Sequence, residues 1–128
     1  MKAKFSDLLG KTLTEVTGAV GGEELVFSTD SGGRFRLYHC QDCCEGVSIE
    51  DICGDLDDLV GSPILMAEEV SQEDKNPDGV NVPTYQESFT WTFYKLATVN
   101  GYVTIRWYGE SNGYYSESVD FELEETKG

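Results

Sequence analysis

Phe89-Thr90-Trp91-Thr92-Phe93-Tyr94-Lys95-Leu96-Ala97-Thr98-Val99-Asn100-Gly101-Tyr102-Val103-Thr104-Ile105-Arg106-Trp107-Tyr108-Gly109 is the stretch on which the fold turns. Two runs rich in aromatic and β-branched residues flank Asn100-Gly101, the strongest short signal for a hairpin. With Asn-Gly as a two-residue turn, Val99 pairs with Tyr102 and each further pair sums to 201. Ala97 then faces Thr104, Lys95 faces Arg106 and Phe93 faces Tyr108. Trp91, Phe93, Tyr102 and Tyr108 share one face, and Val103, Ile105 and Trp107 point to the other, so one face reads as core and one as a platform. Two cations directly opposite each other cost a few tenths of a kcal/mol or more unless something negative lies between them. That is unexpected in a chain with 9 Lys and Arg against 24 Asp and Glu.

Outward from the hairpin, the sequence predicts further strands near 12–18, 23–29, 33–39, 63–70 and 114–122, with the hairpin strands at 88–98 and 102–109. Asn112-Gly113 predicts a second hairpin, with pairs summing to 225, so that Glu117 faces Tyr108 diagonally to Arg106. Residues 71–85, which include Asn76-Pro77-Asp78-Gly79, read as a long loop. A short helical turn is expected near 5–9. The clearest helix signal lies at 48–60, where Ile49, Ile52, Cys53, Leu56, Leu59 and Val60 recur at helical spacing. Ser48 is placed to cap it, and Gly61 and Pro63 to end it. The expected fold is therefore α+β, mainly antiparallel sheet with one amphipathic helix, in a single domain spanning 1–128.

The formal charge of -15 narrows the range of functions. Residues 1–40 carry five acids and five bases, residues 41–88 thirteen acids against Lys75, and residues 89–128 six acids and three bases. Such a surface repels nucleic acid and anionic lipid, so neither direct nucleic-acid binding nor membrane attachment is expected. No apolar run approaches the ~20 residues of a bilayer-spanning helix, and the first residues lack the apolar centre of a signal peptide, so a cytoplasmic location is expected. The 39% hydrophobic and 12% aromatic content argues for a folded core rather than an acidic disordered chain.

Lys95 and Arg106 beside aromatic rings suit an anion that carries a flat base, with Phe89, Trp91, Phe93 and Tyr108 to stack on it and Arg36 as a further cation. Neutralisation of Arg106 by Glu117, or a protein interface, are the other readings of the same residues. The acids on the 48–60 helix, Glu50, Asp51, Asp55, Asp57 and Asp58, read either as a solvated face or as an imitation of nucleic-acid phosphates. His39, Cys40, Cys43 and Cys53 make a weak zinc set, because only half of a paired-knuckle spacing is present. Buried free thiols are the plainer reading, with Cys53 in the core. No cofactor is expected. No motif orders a Cys43 or Cys44 nucleophile with His39 as base, so a non-enzymatic role is expected.

The blocks Tyr38-His39-x-Gln41-Asp42-Cys43-Cys44-Glu45, Ile49-Glu50-Asp51-Ile52-x-Gly54-Asp55-Leu56, Phe89-Thr90-Trp91-Thr92-Phe93-Tyr94 and Val103-Thr104-Ile105-Arg106-Trp107-Tyr108-Gly109 resemble a family of small, mostly uncharacterised tailed-phage proteins. The pattern is also similar to phage anti-defence sponges against Thoeris immunity, which bind cyclic ADP-ribose-type signals without cleaving them. That resemblance implies a homo-oligomer that sequesters a nucleotide-derived signal in an infected bacterium, with Arg106 and its aromatic neighbours in the pocket. The alternative partner is a basic host defence protein, a nuclease or CRISPR-type effector, gripped by the acidic 42–74 region.

Overall fold

The computed structural model describes residues 2–41, 44–73, 75–77, 82, 86, 88–113 and 116–125. Eight strands run in the order β1 (Leu13–Thr17), β2 (Glu24–Thr29), β3 (Gly33–Tyr38), β4 (Gly46–Cys53), β5 (Met66–Glu73), β6 (Ser88–Thr98), β7 (Gly101–Ser111) and β8 (Asp120–Glu125). They form two four-stranded sheets, β1-β2-β3-β8 and β4-β7-β6-β5, in which every pairing of neighbouring strands is antiparallel. The α+β expectation is thus overturned. The described residues contain no α-helix, only single 3-10 turns at Phe5–Leu8 and Leu56–Leu59.

A β-bulge explains why 48–60 reads as a helix. Ile49 pairs with Trp107 and Asp51 with Arg106, so Glu50 is an extra residue in β4. Without it, positions 49 and 52 would point to opposite faces of a strand. With it, both point inward, and Ile49 is 1% exposed while Ile52 packs on the core's edge. The i, i+3 spacing of a helix is reproduced by a strand with one inserted residue. Gly54 then ends β4 at φ +109°, where a Cβ would lie 2.5 Å from the Tyr102 carbonyl oxygen. Gly54→Ala is expected to cost roughly 2 kcal/mol through left-handed strain alone, measured as a lower urea midpoint. An unchanged midpoint would mean that the β4 exit can relax. Asp55, rather than Ser48, acts as the cap, its carboxylate accepting from the Asp57 amide (2.9 Å).

The β6–β7 hairpin forms, one residue earlier than the Asn-Gly signal indicates. Thr98 pairs with Gly101, so pairs sum to 199, and Val99 and Asn100 occupy the turn. Thr98 fixes this register. Its hydroxyl donates to the Asp58 carbonyl and accepts from the Asn100 amide, while the neighbouring Ala97 carbonyl accepts from the Leu65 amide (2.8 Å). Lys95 therefore faces Thr104, Phe93 faces Arg106 and Trp91 faces Tyr108, and the predicted clash of two cations does not occur. Moving both partners by one residue preserves parity, so the division into faces stands. Tyr94, Leu96, Val103, Ile105 and Trp107 are all at most 1% exposed. They join Leu25, Phe27, Phe35, Leu37 and Phe121 of the first sheet in one core. Phe5, carried by the first 3-10 turn, inserts among them at 4.7 Å from the Tyr94 ring and 5.4 Å from that of Phe121.

The second predicted hairpin is also corrected. After Ser111 the chain leaves the second sheet, and β8 pairs with β3 from Gly33↔Glu125 to Tyr38↔Asp120. The loop expected at 71–85 starts later, because β5 continues through Ser71, Gln72 and Glu73. Most of its remainder lies outside the described residues, as do positions 114 and 115 of the predicted last strand.

Candidate functional site

Alternation along β6 and β7 places Trp91, Phe93, Lys95, Tyr102, Thr104, Arg106 and Tyr108 on the outer face of the second sheet. Met66, Glu68, Val70 and Gln72 of β5 continue that face opposite Ala97, Lys95, Phe93 and Trp91. The predicted platform exists, but its residues differ in availability. Trp91 is 1% exposed. Tyr108 leans on it at 4.6 Å, the Arg106 guanidinium lies 5.5 Å from its ring centre, and its indole N–H donates to Asn76 Oδ1 (3.0 Å). Asn76 and Gln86 exchange amide hydrogen bonds of 2.9 and 3.2 Å. Gln86 donates to the Tyr108 hydroxyl (2.7 Å), which donates to Glu110 (2.8 Å). Burial first, then the carboxylate of Glu110, pushes that hydroxyl up to about 12 against the opposing hydrogen bond from Gln86. Phe89, 8% exposed, stacks on Tyr108 at 6.2 Å. Phe89 and Trp91 therefore hold the face together rather than presenting their rings to solvent.

Phe93, Lys95 and Arg106 remain half-buried at the centre, and Tyr102 is 75% exposed at the hairpin end. Arg106 is held by Glu50, which accepts from Nε, and by Asp51 at 3.5 Å. Glu117 instead accepts from Thr90 (2.9 Å) and Ser111. Sequence reasoning missed the Glu50 and Asp51 contacts because it placed both acids on a helix. With β4 as a strand, Asp51 stands directly opposite Arg106. Lys95 makes no ion pair among the described residues and has Glu68 and Thr104 as cross-strand neighbours.

Arg36 does not belong with this group. It lies on the outer face of the first sheet, across the core, with Arg34 and Tyr38 on the same side of β3. Its guanidinium lies 4.0 Å from the Tyr38 ring centre and pairs with Glu24 and with Glu124 (3.8 Å).

The cysteine and histidine expectations are corrected as well. Cys40 and Cys53 are free but exposed, and Cys44 is disulfide-bonded. Cys43 lies outside the described residues. Both His39 ring nitrogens are engaged, Nδ1 with the Ser118 carbonyl and Nε2 with the Glu45 carboxylate, each at 2.7 Å. The His39 and Glu45 side chains are only 3% and 0% exposed. Gln41 also donates to Glu45, at 2.6 Å to its carbonyl and 3.2 Å to its carboxylate. The histidine is a buried strut between the end of β3, the start of β4 and the approach to β8. Among the described residues, no group of three or more His, Cys, Asp or Glu could hold a metal ion, and no helix is long and apolar enough to cross a membrane.

Residues 6–121 match the model of a domain of unknown function, DUF7448, and the chain belongs to that family. No curated protein and no solved structure matches the chain.

Proposed function

We propose that this member of the DUF7448 family is a non-enzymatic phage counter-defence protein, and that it sequesters a nucleotide-derived signal of the cyclic ADP-ribose type on the outer face of its second sheet. One observation carries this reading. In a chain of charge -15, Lys95 and Arg106 stand diagonally on the two central strands of that sheet, beside Phe93 and near the exposed Tyr102. Lys95, without an ion pair among the described residues, is the cation open to a phosphate. Arg106 is already fixed by two carboxylates, so its contribution is a planar guanidinium held ready to stack on a base. Phe93 and Tyr102 supply the stacking surface, at ~1–3 kcal/mol per base. The exposed Val99 and Tyr102 at the hairpin tip give a homo-oligomer an apolar contact beside the ligand.

The test is calorimetric titration with cyclic ADP-ribose, paired with native mass spectrometry of protein incubated in extract from cells whose signalling defence has been triggered. Saturable binding, with the small molecule recovered intact on heating, is the expected result. Lys95→Ala is expected to weaken affinity about tenfold or more by removing one charge-assisted contact while leaving the fold intact. Unchanged affinity in that variant, or no adduct from the extract, would sink the reading.

A second reading draws on the acids of β4 and the turn after it. Asp51, Asp55 and Asp57 are exposed there, and Arg106 is their only ion-pair partner among the described residues. Such an edge suits a basic protein partner. Capture that fades steeply as ionic strength rises would favour this reading, since exposed charge pairs are screened and an enclosed stack is not.

A further inference from the structure

Each of the two sheets ends in two edge strands, and the chain covers part of the edge at β1, β4 and β8. Along β1, Leu13 bridges to Val60 and its carbonyl accepts from the Gly61 amide (2.9 Å). Along β4, the Ile49 carbonyl accepts from the Gly21 amide (2.7 Å), and the Ile49 amide donates to the Gly22 carbonyl (2.8 Å). Along β8, Lys2 bridges to Glu122 and the Phe121 carbonyl accepts from the Ala3 amide (3.0 Å). β5 is the exception, since among the described residues its backbone bonds only to β6. In an antiparallel pair every second residue turns both its N–H and its C=O away from the partner. Met66–Glu73 therefore presents a row of open donors and acceptors.

Glu68, Glu69, Val70, Ser71 and Glu73 are exposed along this edge. The first 3-10 turn lies beside Ala67, at the start of the strand. The described residues of the connection to β6 lie over the outer face instead, where Asn76 meets Trp91 and Gln86 meets Tyr108. β5 carries Glu68, Glu69 and Glu73 and no base, and none of the three is in an ion pair among the described residues. Two copies of β5 laid edge to edge would set acid against acid, so charge disfavours self-pairing. A strand that bears Lys or Arg meets the opposite situation.

We infer that the β5 edge is a docking site for an extended, lysine- or arginine-bearing segment of a partner protein, which joins the second sheet as an added strand. Main-chain hydrogen bonds hold such a segment, and its alternate side chains select it. Glu69 and Glu73 lie on one side of β5, and Glu68 and Val70 on the other. A matching strand therefore places cations opposite Glu69 and Glu73 on its first side, and a cation and an apolar residue opposite Glu68 and Val70 on its second. This edge lies across the second sheet from the acids of β4. The inference needs neither the nucleotide reading nor a partner at β4.

The test titrates the isotope-labelled full chain with the end-capped peptide Lys-Thr-Thr-Val-Lys-Lys, whose residues fall opposite Glu73 to Glu68 in antiparallel register. Saturable amide shifts centred on residues 66–73 are expected, with slowed hydrogen exchange there. Two N-methylated forms, blocked at alternate residues in one phase or the other, isolate the ladder. The phase that turns its methyl groups toward β5 should lose at least about tenfold in affinity, while the other keeps binding. Replacing the peptide's lysines with glutamate should abolish binding. Glu73→Lys, at an exposed position, should weaken it about threefold to tenfold, and a thermal melt reports whether that variant folds. No saturation at millimolar concentration would overturn the proposal, as would a folded Glu73→Lys variant with undiminished affinity. Both methylated forms binding like the parent would mean attraction between charges alone and would overturn it too. Shifts at 66–73 that change on dilution of the protein by itself would assign the edge to a second copy, with the same consequence.

Discussion

His39→Ala is expected to lower stability by about 3–5 kcal/mol, the loss of two hydrogen bonds of a buried ring, one of them to a carboxylate, added to the void that the ring leaves. The Glu45 carboxylate has no solvent exposure, and His39 Nε2 is 2.7 Å from it. The other nitrogen faces the Ser118 carbonyl, which can only accept. Both neighbours offer oxygens, and each ring nitrogen lies within hydrogen-bond distance of one of them. Removing the ring therefore removes a hydrogen-bond partner of Glu45 and the tie that holds Ser118 against the start of β4. Urea unfolding with an unchanged slope would isolate the stability term. Glu45→Gln, which keeps an acceptor oxygen, should cost less, about 1–3 kcal/mol. Cys40→Ser, at the exposed neighbouring position, should stay within about 0.5 kcal/mol of the parent. A His39→Ala loss below about 1 kcal/mol would show that Glu45 is satisfied without its histidine.

This pair also marks where the sequence ceased to be readable. A histidine among cysteines fits ligand chemistry as well as it fits a strut, and what separates the two is a carboxylate six residues on and a carbonyl at Ser118, which only the fold brings near. The outer face of the second sheet was more legible, because a period of two survives a register error. The hairpin closes at Thr98↔Gly101 rather than Val99↔Tyr102, yet the strand side chains at 91–98 and 102–108 keep their faces. The 48–60 segment failed for a related reason. The inserted Glu50 shifts the parity of β4 and turns Ile49 and Ile52 inward together, a spacing that one sequence cannot distinguish from a helical stripe. The same error hid Glu50 and Asp51 as the partners of Arg106. It also let Glu117 seem the nearest acid, although Glu117 is engaged by Thr90 and Ser111. Arg36 shares a strand face with Arg34 and Tyr38, which alternation makes legible, but which sheet β3 joins is not a local property of the sequence.

Trp91→Ala is expected to cost about 3–5 kcal/mol, the range for truncating a buried large aromatic, although Trp91 points away from the main core. It is 1% exposed, with Tyr108, Arg106 and Asn76 in contact with it. Loss of the indole leaves Asn76 Oδ1 with Gln86 as its only described donor and removes the surface on which Tyr108 rests. Trp91→Phe isolates the hydrogen bond and should cost about 1–2 kcal/mol, combining a lost partner with a small void. Lys95→Ala, two residues along the same strand face, should change stability by no more than about 0.5 kcal/mol, since it lacks an ion pair among the described residues. The contrast divides the face by role. If Trp91→Ala unfolds at a much lower urea concentration while Lys95→Ala does not, then Trp91 supports the face and a ligand meets Phe93, Lys95 and Tyr102. If Trp91→Ala keeps its midpoint but loses cyclic ADP-ribose, the indole itself is a stacking surface, and the Asn76–Gln86 pair must part to admit the base. Measuring both variants by denaturation and by titration separates a residue that builds the site from one that touches the ligand.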